Sequence, residues 1–205
     1  MGPAAAKRLP GRPRSDAVRA AVLEAAGRLL EEAGFARLTM EGIAARAGVG
    51  KATLYRWWPS KGAVAMEAFL AAVSPRLAFP RTDSAVADIT TQMLRLAAAY
   101  RSLPGRLVCE CIALGQADPE VRQAFLDGYM TPRREAAKEV LRRGVAAGEI
   151  RADVELDIMV DALYGPLFHR MLLGHLPLDD TFVRDVAGLV FAGLAPGRAD
   201  AAERP

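Results

Sequence analysis

The densest run of chemically active side chains is the segment GVGKATLYRWWPSK, at Gly48–Lys61. Its lysines and arginine are cations and its threonine and tyrosine carry hydroxyls, so it offers hydrogen-bond donors for phosphate oxygens and base edges. Leu54 and Trp58 lie four residues apart, and on a helix both would point inward. The residues left facing outward are Lys51, Ala52, Thr53, Arg56 and Trp57. In a DNA groove, Thr53 would bond a base edge or contact a thymine methyl group, and Arg56 would pair with guanine.

Nucleotide chemistry is a poor match for the same segment. A phosphate-binding loop requires Gly at position 45 and Ser or Thr directly after the lysine, and this chain has Ala45 and Ala52. No strand pattern precedes the segment either, so we do not expect nucleotide hydrolysis.

Histidine and cysteine, the commonest metal ligands and nucleophiles, are scarce. The chain has His169 and His175, six residues apart, and Cys109 and Cys111, two apart. Residues two apart on a helix point to different faces, so we expect no disulfide. We interpret both cysteines as reduced core residues, with a thiol sensor as the alternative. The sequence therefore predicts no enzyme, no metal site and no cofactor.

Charge is unevenly distributed along the chain. Residues 1–61 carry eleven Lys or Arg and five Asp or Glu, a balance of +6, whereas residues 62–205 carry sixteen and nineteen, a balance of −3. Only the basic N-terminal segment, residues 1–61, is expected to bind a polyanion. The most apolar stretch, Ile158–Leu173, contains Asp161, His169 and Arg170, which argues against a membrane span, and no apolar leader opens the chain. We expect a soluble, cytoplasmic protein.

The elements that must position these side chains are helical, and the predicted class is all-α. Ser15 or Asp16 is expected to cap a first helix that ends at Gly34. Thr39 would cap a second, and the Gly48-Val49-Gly50 turn separates it from a third over Lys51–Trp58. Two short helices joined by a glycine turn form the helix-turn-helix element. The predicted divisions are a flexible basic arm at 1–15, a helix-turn-helix DNA-binding domain at 16–74, a helical domain at 81–195 and a disordered tail at 196–205.

The second domain is also expected to be helical throughout. Asp118-Pro119 and Thr131-Pro132 are helix-start signals, so Asp118–Ala147 is either two helices or one kinked helix. Asp157–Leu173 is apolar on almost all sides and must be buried on more than one, which favours a pocket on one side and a partner subunit on the other. Pro166 is expected to kink this helix.

The segment Gly48–Lys61 resembles the recognition-helix signature of the TetR family of one-component bacterial regulators. The whole unit from Asp16 to about Val73 is similar to that family's DNA-binding domain in order, spacing and length. One departure is Gly50, where the family more often has a serine N-cap. The resemblance implies that Thr39, Tyr55 and Lys61 contact phosphates and that the last two long helices form a homodimer. The alternative for Tyr55 and Trp57 is packing in the core.

A second candidate for DNA contact precedes the first helix. The segment LPGRPR, at Leu9–Arg14, resembles an AT-hook core, in which glycine and prolines keep the backbone extended while Arg12 and Arg14 enter a minor groove. The alternative is a disordered basic tail that adds nonspecific affinity.

Taken together, these patterns predict a dimeric regulator, most simply a repressor, that binds a palindromic double-stranded DNA operator and is released by a small apolar or aromatic effector. The predicted effector contacts are Tyr100, Cys109, Ile112, Tyr129, Tyr164, Phe168 and His169. Two alternatives stay open: a repressor that needs no effector and has no pocket, and a helical enzyme with an incidental basic front. The sequence does not indicate the operator, the effector, the regulated genes or the sign of regulation.

Overall fold

The protein is all-α, as predicted. The computed structural model describes residues 12–58, 60–73 and 77–196, and within these ranges it contains α-helices, one π-helical turn and no strand. None of the described helices combines the length and the apolar character that crossing a bilayer requires. The chain forms two compact units whose boundary falls between Ala68 and Phe69.

Four helices belong to the N-terminal part of the chain: α1 at Arg12–Arg37, α2 at Met40–Ala47, α3 at Lys51–Trp57 and α4 at Lys61–Val73. The first begins at Arg12, not at Ser15 or Asp16. Pro13 permits this because a proline in the first turn removes no helical hydrogen bond. The backbone of Arg12 and Arg14 is therefore helical and not extended as predicted, while residues 1–11 lie outside the described part of the chain.

The body of α1 ends at Gly34, which has a φ of 74°. The first helix was predicted to end at this glycine, although the chain resumes helical conformation from Phe35 to Arg37. The core of the first unit is built on the four-residue spacing of Val22, Ala26 and Leu30, all of which are buried. Ile43 of α2, Leu54 of α3 and Val64 of α4 complete it, and none of the three is exposed at all.

The second unit contains α5 at Ala85–Tyr100, α6 at Leu103–Gly115, α7 at Pro119–Phe125, a π-helical turn at Leu126–Met130, α8 at Thr131–Ala147, α9 at Leu156–Leu173 and α10 at Asp180–Leu194. Asp118 caps α7 as predicted, accepting hydrogen bonds from the backbone of Glu120 and Val121. The π-helical turn joins α7 directly to α8. In it, the Thr131 N–H bonds the Leu126 carbonyl five residues back, just before Pro132, which has no N–H to donate.

Helix α5 is anchored at its N-terminus by two carboxylates. Glu149, from the turn after α8, accepts from the Ala85 N–H at 3.0 Å and from the Ser84 hydroxyl at 2.8 Å, which satisfies donors that a helix start leaves free. Asp88 is fully buried and accepts from the Thr82 N–H and hydroxyl and from the Arg143 guanidinium. Burial would raise the pKa of Asp88, but these hydrogen bonds outweigh it and the pKa is lowered.

The corner between α5 and α6 needs a glycine. A Cβ on Gly105 would lie 2.0 Å from the Tyr100 carbonyl oxygen, closer than any side chain tolerates. This close approach fixes α6 against the end of α5, where Tyr100 points into the interior of the second unit.

Candidate functional site

The α2–turn–α3 element is defined by its caps. The Thr39 hydroxyl accepts from the Gly42 N–H at 3.0 Å and starts α2, as predicted. Gly48 ends α2 with a φ of 66°, in the left-handed region that favours glycine. Gly50 starts α3, its carbonyl accepting from the Thr53 and Leu54 N–H groups at 3.0 and 3.1 Å. The predicted helix-turn-helix is present, with α3 ending at Trp57 and Trp58 as its C-cap.

Helix α3 presents two different faces. Leu54 is fully buried and Trp58 is 3% exposed, so both point inward as predicted. Tyr55 is 48% exposed and Trp57 is 37% exposed, so neither packs in the core. The rest of the predicted contact set is also accessible, with Lys51, Ala52 and Arg56 exposed and Thr53 half-buried. One side of α3 is thus accessible at the surface of the first unit.

Three helices are held together at the end of α3 by one carboxylate. Glu67 of α4 accepts from the Trp58 indole Nε1 at 2.7 Å with one oxygen and from Arg19 Nε of α1 at 2.6 Å with the other. The Arg46 guanidinium of α2 forms two hydrogen bonds with Glu32 of α1, at 2.5 and 2.6 Å. The Glu67 contacts thus join the end of α3 to α1 and α4, and the Arg46 pair joins α2 to α1.

The residues expected to contact phosphates differ in how free they are. Thr39 is exposed at the N-terminus of α2, where the helix dipole favours anions. Lys61 is half-buried, and its ammonium lies 3.4 Å from the Phe35 carbonyl and 4.8 Å from the centre of the Phe35 ring. Lys51 pairs with Glu41 at 2.9 Å, and this bond lowers the pKa of Glu41. The side chains of Arg12 and Arg14 lie outside the described residues.

Comparison with known proteins places this geometry in a family. Residues 22–68 match the family model for bacterial regulatory proteins of the tetR family, and residues 79–190 match the tetracyclin repressor-like C-terminal domain. The chain belongs to the TetR family. It is a DNA-binding transcriptional regulator by descent, and the helix-turn-helix of α2 and α3 lies within the matched residues 22–68.

Individual relatives agree over most of the chain. An uncharacterized HTH-type transcriptional regulator of Bacillus subtilis, YdeS, is 39% identical over 184 residues, which are 90% of this chain and 93% of the relative. A DNA-binding transcriptional repressor TetR of Mycobacteroides abscessus is 29% identical over 188 residues, which are 90% of this chain and 97% of the relative. The crystal structure of the TetR family transcription regulator SCO0332 superposes with a TM-score of 0.80 at 40% identity, covering 87% of this chain and 99% of that one.

The second unit of this TetR family protein contains a partly open cavity of about 190 Å³. Four of the seven predicted effector contacts line it: Tyr100, Tyr129, Tyr164 and Phe168. Sequence reasoning missed other lining residues, among them Gln92, Leu96, Met130, Arg133 and Val160. Spacing gives no signal for Arg133, because the π-helical turn at Leu126–Met130 breaks the α-helical phase between Tyr129 and Arg133.

Three predicted contacts are not part of this cavity. Cys109 lies in a separate depression beside Glu110 and Met171, with its thiol 3.8 Å from the Met171 carbonyl. Ile112 is half-buried but does not line the cavity. His169 is exposed, with its ring 4.8 Å from that of His175. For His169 the reason is helix phase: it follows Phe168 directly and is rotated about 100° away from the cavity.

The cysteines are poor candidates for thiolate chemistry. Burial raises the pKa of the Cys111 thiol to about 12 and also raises that of Cys109. A high pKa keeps a thiol protonated and unreactive at neutral pH, which favours the core interpretation over the thiol sensor.

The hydroxyl groups of the cavity wall are paired with each other or with an amide. The hydroxyls of Tyr100 and Tyr129 lie 2.9 Å apart, and the Tyr164 hydroxyl donates to Gln92 Oε1 at 2.7 Å. Burial raises the pKa of all three phenols, so they remain neutral at physiological pH. The Arg133 guanidinium lies over the Tyr129 ring, 4.3 Å from its centre.

Helices α9 and α10 expose apolar side chains away from the core. Met159, Leu163 and Leu167 of α9 are buried, but Ile158 is 60% exposed. On α10, Val183 and Ala187 are buried while Leu189 is 78% exposed. Exposed Gly188 and Ala192 flank Leu189 on the same side of α10, and small residues there leave room for close approach of another helix. Each helix therefore has one face in the core and exposes large apolar side chains on another.

Proposed function

We propose that this protein is a homodimeric repressor that binds a pseudo-palindromic operator through two copies of α3 and is released when a small molecule enters the cavity of the second unit. The observation that carries the proposal is the outward face of α3, where the side chains of Thr53, Tyr55, Arg56 and Trp57 are accessible. The opposite face of the helix is buried in the core of the first unit. Thr53 and Arg56 would contact base edges, while Thr39, Tyr55 and Lys61 would contact phosphates.

Dimerisation is supported by exposed apolar side chains on α9 and α10. Isolated exposed leucines are ordinary, but Ile158, Leu172 and Leu173 are all exposed on α9, and Leu189 is exposed on α10, which packs beside α9. Packed against the same pair in a second copy, these helices would form a four-helix interface with twofold symmetry. Symmetry would then place the two copies of α3 in successive major grooves, roughly 34–36 Å apart.

Release by a small molecule is supported by the cavity itself, whose wall is mostly apolar and aromatic with few polar groups, as in ligand pockets generally. One wall residue, Tyr129, packs its ring against Phe69 at 5.5 Å between centres. Phe69 belongs to α4. The same helix contains Glu67, which accepts the hydrogen bond from Trp58 at the end of α3. A ligand that displaces Tyr129 would therefore shift α4. A coupling of about 1–3 kcal/mol would lower operator affinity about 5–150-fold.

The proposal is tested by selecting operators from a pool of random duplexes with the whole chain. We expect enrichment of an inverted repeat whose half-site centres lie about 10–10.5 base pairs apart, or a multiple of that distance. Enrichment of no sequence, or of an asymmetric single site bound by a monomer, would overturn it. An operator complex that no small molecule dissociates would instead favour the repressor that needs no effector.

A further inference from the structure

One charged group in the cavity wall has no counter-charge. Within the described part of the chain, Arg133 Nε and Nη2 are buried and have no hydrogen-bond partner. An arginine stays ionised in any protein environment, and a buried charged donor without an acceptor is costly. The Tyr129 ring beneath the guanidinium attracts the cation and the Tyr129 hydroxyl interacts with it, but neither contact gives Nε or Nη2 an acceptor.

The other polar groups that face this cavity are already engaged. The three phenols bond each other or Gln92, as described above, and Gln92 Nε2 donates to the Leu77 carbonyl at 3.4 Å. Arg134, the second cation of the wall, pairs with Asp157 at 2.7 Å and also with Asp161. The cavity thus presents an apolar wall and one unneutralised positive charge, that of Arg133.

The unpaired edge of Arg133 is closed to solvent in the unliganded protein, so the guanidinium has to turn before a ligand reaches it, and the geometry of this edge is specific. Nε and Nη2 are adjacent on one side of the planar guanidinium, and their N–H groups are spaced for the two oxygens of a single carboxylate. The same two nitrogens of Arg151 hold Asp153 in this way in the same molecule, with both N–O distances at 2.5 Å. A neutral ligand would leave both donors of Arg133 unsatisfied.

We infer that the effector cavity is built for an organic anion: an aromatic or apolar body against Tyr100, Tyr164 and Phe168, with one carboxylate held by Arg133. This inference rests on the proposed function and narrows its ligand class from apolar molecules in general to hydrophobic carboxylic acids. The volume of about 190 Å³ exceeds the roughly 150 Å³ of an engineered cavity that holds benzene, which suits one substituted ring or two fused rings.

The test compares matched acids and amides by titration calorimetry on the whole chain. Benzoate and 1-naphthoate are the acid probes, and benzamide and 1-naphthamide are their neutral counterparts. We expect at least one acid to bind about tenfold or more tightly than its amide. Arg133→Met should weaken acid binding about 10–100-fold and amide binding less than about threefold, because a charge-assisted bidentate bond is lost. Arg133→Lys keeps the positive charge but lacks the two adjacent N–H donors of the guanidinium, so it should retain part of the preference for acid over amide.

The matched control is Arg142→Met, the same charge change on the same helix at an exposed residue outside the cavity wall. It should leave the acid-to-amide ratio unchanged. Glu110 Oε2 is another buried atom without a partner among the described residues, so Glu110→Gln is a second control. It should also leave the acid-to-amide affinity ratio unchanged. A rise in that ratio would mean that Glu110 already neutralises Arg133, which would overturn the inference.

Equal binding of acid and amide, equal loss of both in Arg133→Met, or no binding of any probe at millimolar concentration would each overturn the inference. If Arg133→Met does not fold, the Arg133→Lys ratio decides. Operator binding by every variant without added acid separates the two proposals. If operator binding is intact while the preference for acid over amide is absent, only the proposed ligand class is wrong. If the protein shows no sequence preference for DNA, the proposed function is wrong.

Discussion

The contact between Glu67 and Trp58 is expected to determine the stability of the first unit, and Glu67→Ala removes it. Trp58 is only 3% exposed, so its indole N–H would lose its acceptor at 2.7 Å without gaining water, a cost of about 1–3 kcal/mol. The ion pair with Arg19 adds little, about 0–1 kcal/mol, because half of the arginine side chain is exposed. We therefore expect a loss of about 2 kcal/mol in the free energy of unfolding.

The assay is urea denaturation followed by tryptophan fluorescence. Trp57 and Trp58 are the only tryptophans in the sequence, so the signal reports the unit that carries α3. Glu67→Gln keeps an acceptor for the indole and should recover about half of the loss. The control is Glu24→Ala, which breaks a pair with Arg28 whose side chains are both more than 60% exposed and should change stability by only a few tenths of a kcal/mol. Equal effects of Glu67→Ala and Glu24→Ala would refute the argument.

Three further outcomes follow from single contacts. Gly48→Ala should destabilise by about 1 kcal/mol, because a φ of 66° strains alanine although the space is open, whereas Gly27→Ala in the middle of α1 should stabilise by about 0.5–1 kcal/mol in the same urea titration. Asp88 has a lowered pKa, so its contribution to the free energy of unfolding is present above the ordinary aspartate range and is lost as the pH falls through the lowered value. The destabilisation by Asp88→Asn in thermal melts should therefore be large at pH 7 and smaller at about pH 3. A difference that stays constant with pH would contradict this. Leu189→Glu should yield monomers by light scattering, while Leu126→Glu, at a 39% exposed leucine outside α9 and α10, should not; a dimer that survives Leu189→Glu is formed elsewhere.

Local signals predicted the first unit well because its elements are set by residues close in sequence. Thr39, Gly48 and Gly50 determine where α2 and α3 start and stop, and the four-residue spacing of Leu54 and Trp58 orients α3. The start of α1 was predicted late, since Ser15 gave a stronger cap signal than a proline that merely permits an earlier turn.

The cavity was predicted only in part because it depends on packing between distant segments. Tyr164 and Phe168 are large and share a face of an apolar helix, so spacing found them. Cys109 was chosen for its type, but the phase of α6 turns it towards Met171. Arg133 was missed because a charged residue is ordinarily solvent-exposed, and only the packing of α8 in the second unit makes it part of an interior wall.

We propose that the outward face of α3 distinguishes DNA sequences, and Arg56→Ala tests this most directly. The measurement is the affinity for the selected operator and for a scrambled duplex, at one fixed salt concentration, compared with Arg28→Ala, which removes an exposed positive charge from α1. Loss of a guanine contact should cost about 1–3 kcal/mol per subunit on the operator and no more than Arg28→Ala on the scrambled duplex. An Arg56→Ala protein with unchanged operator preference would contradict the claim.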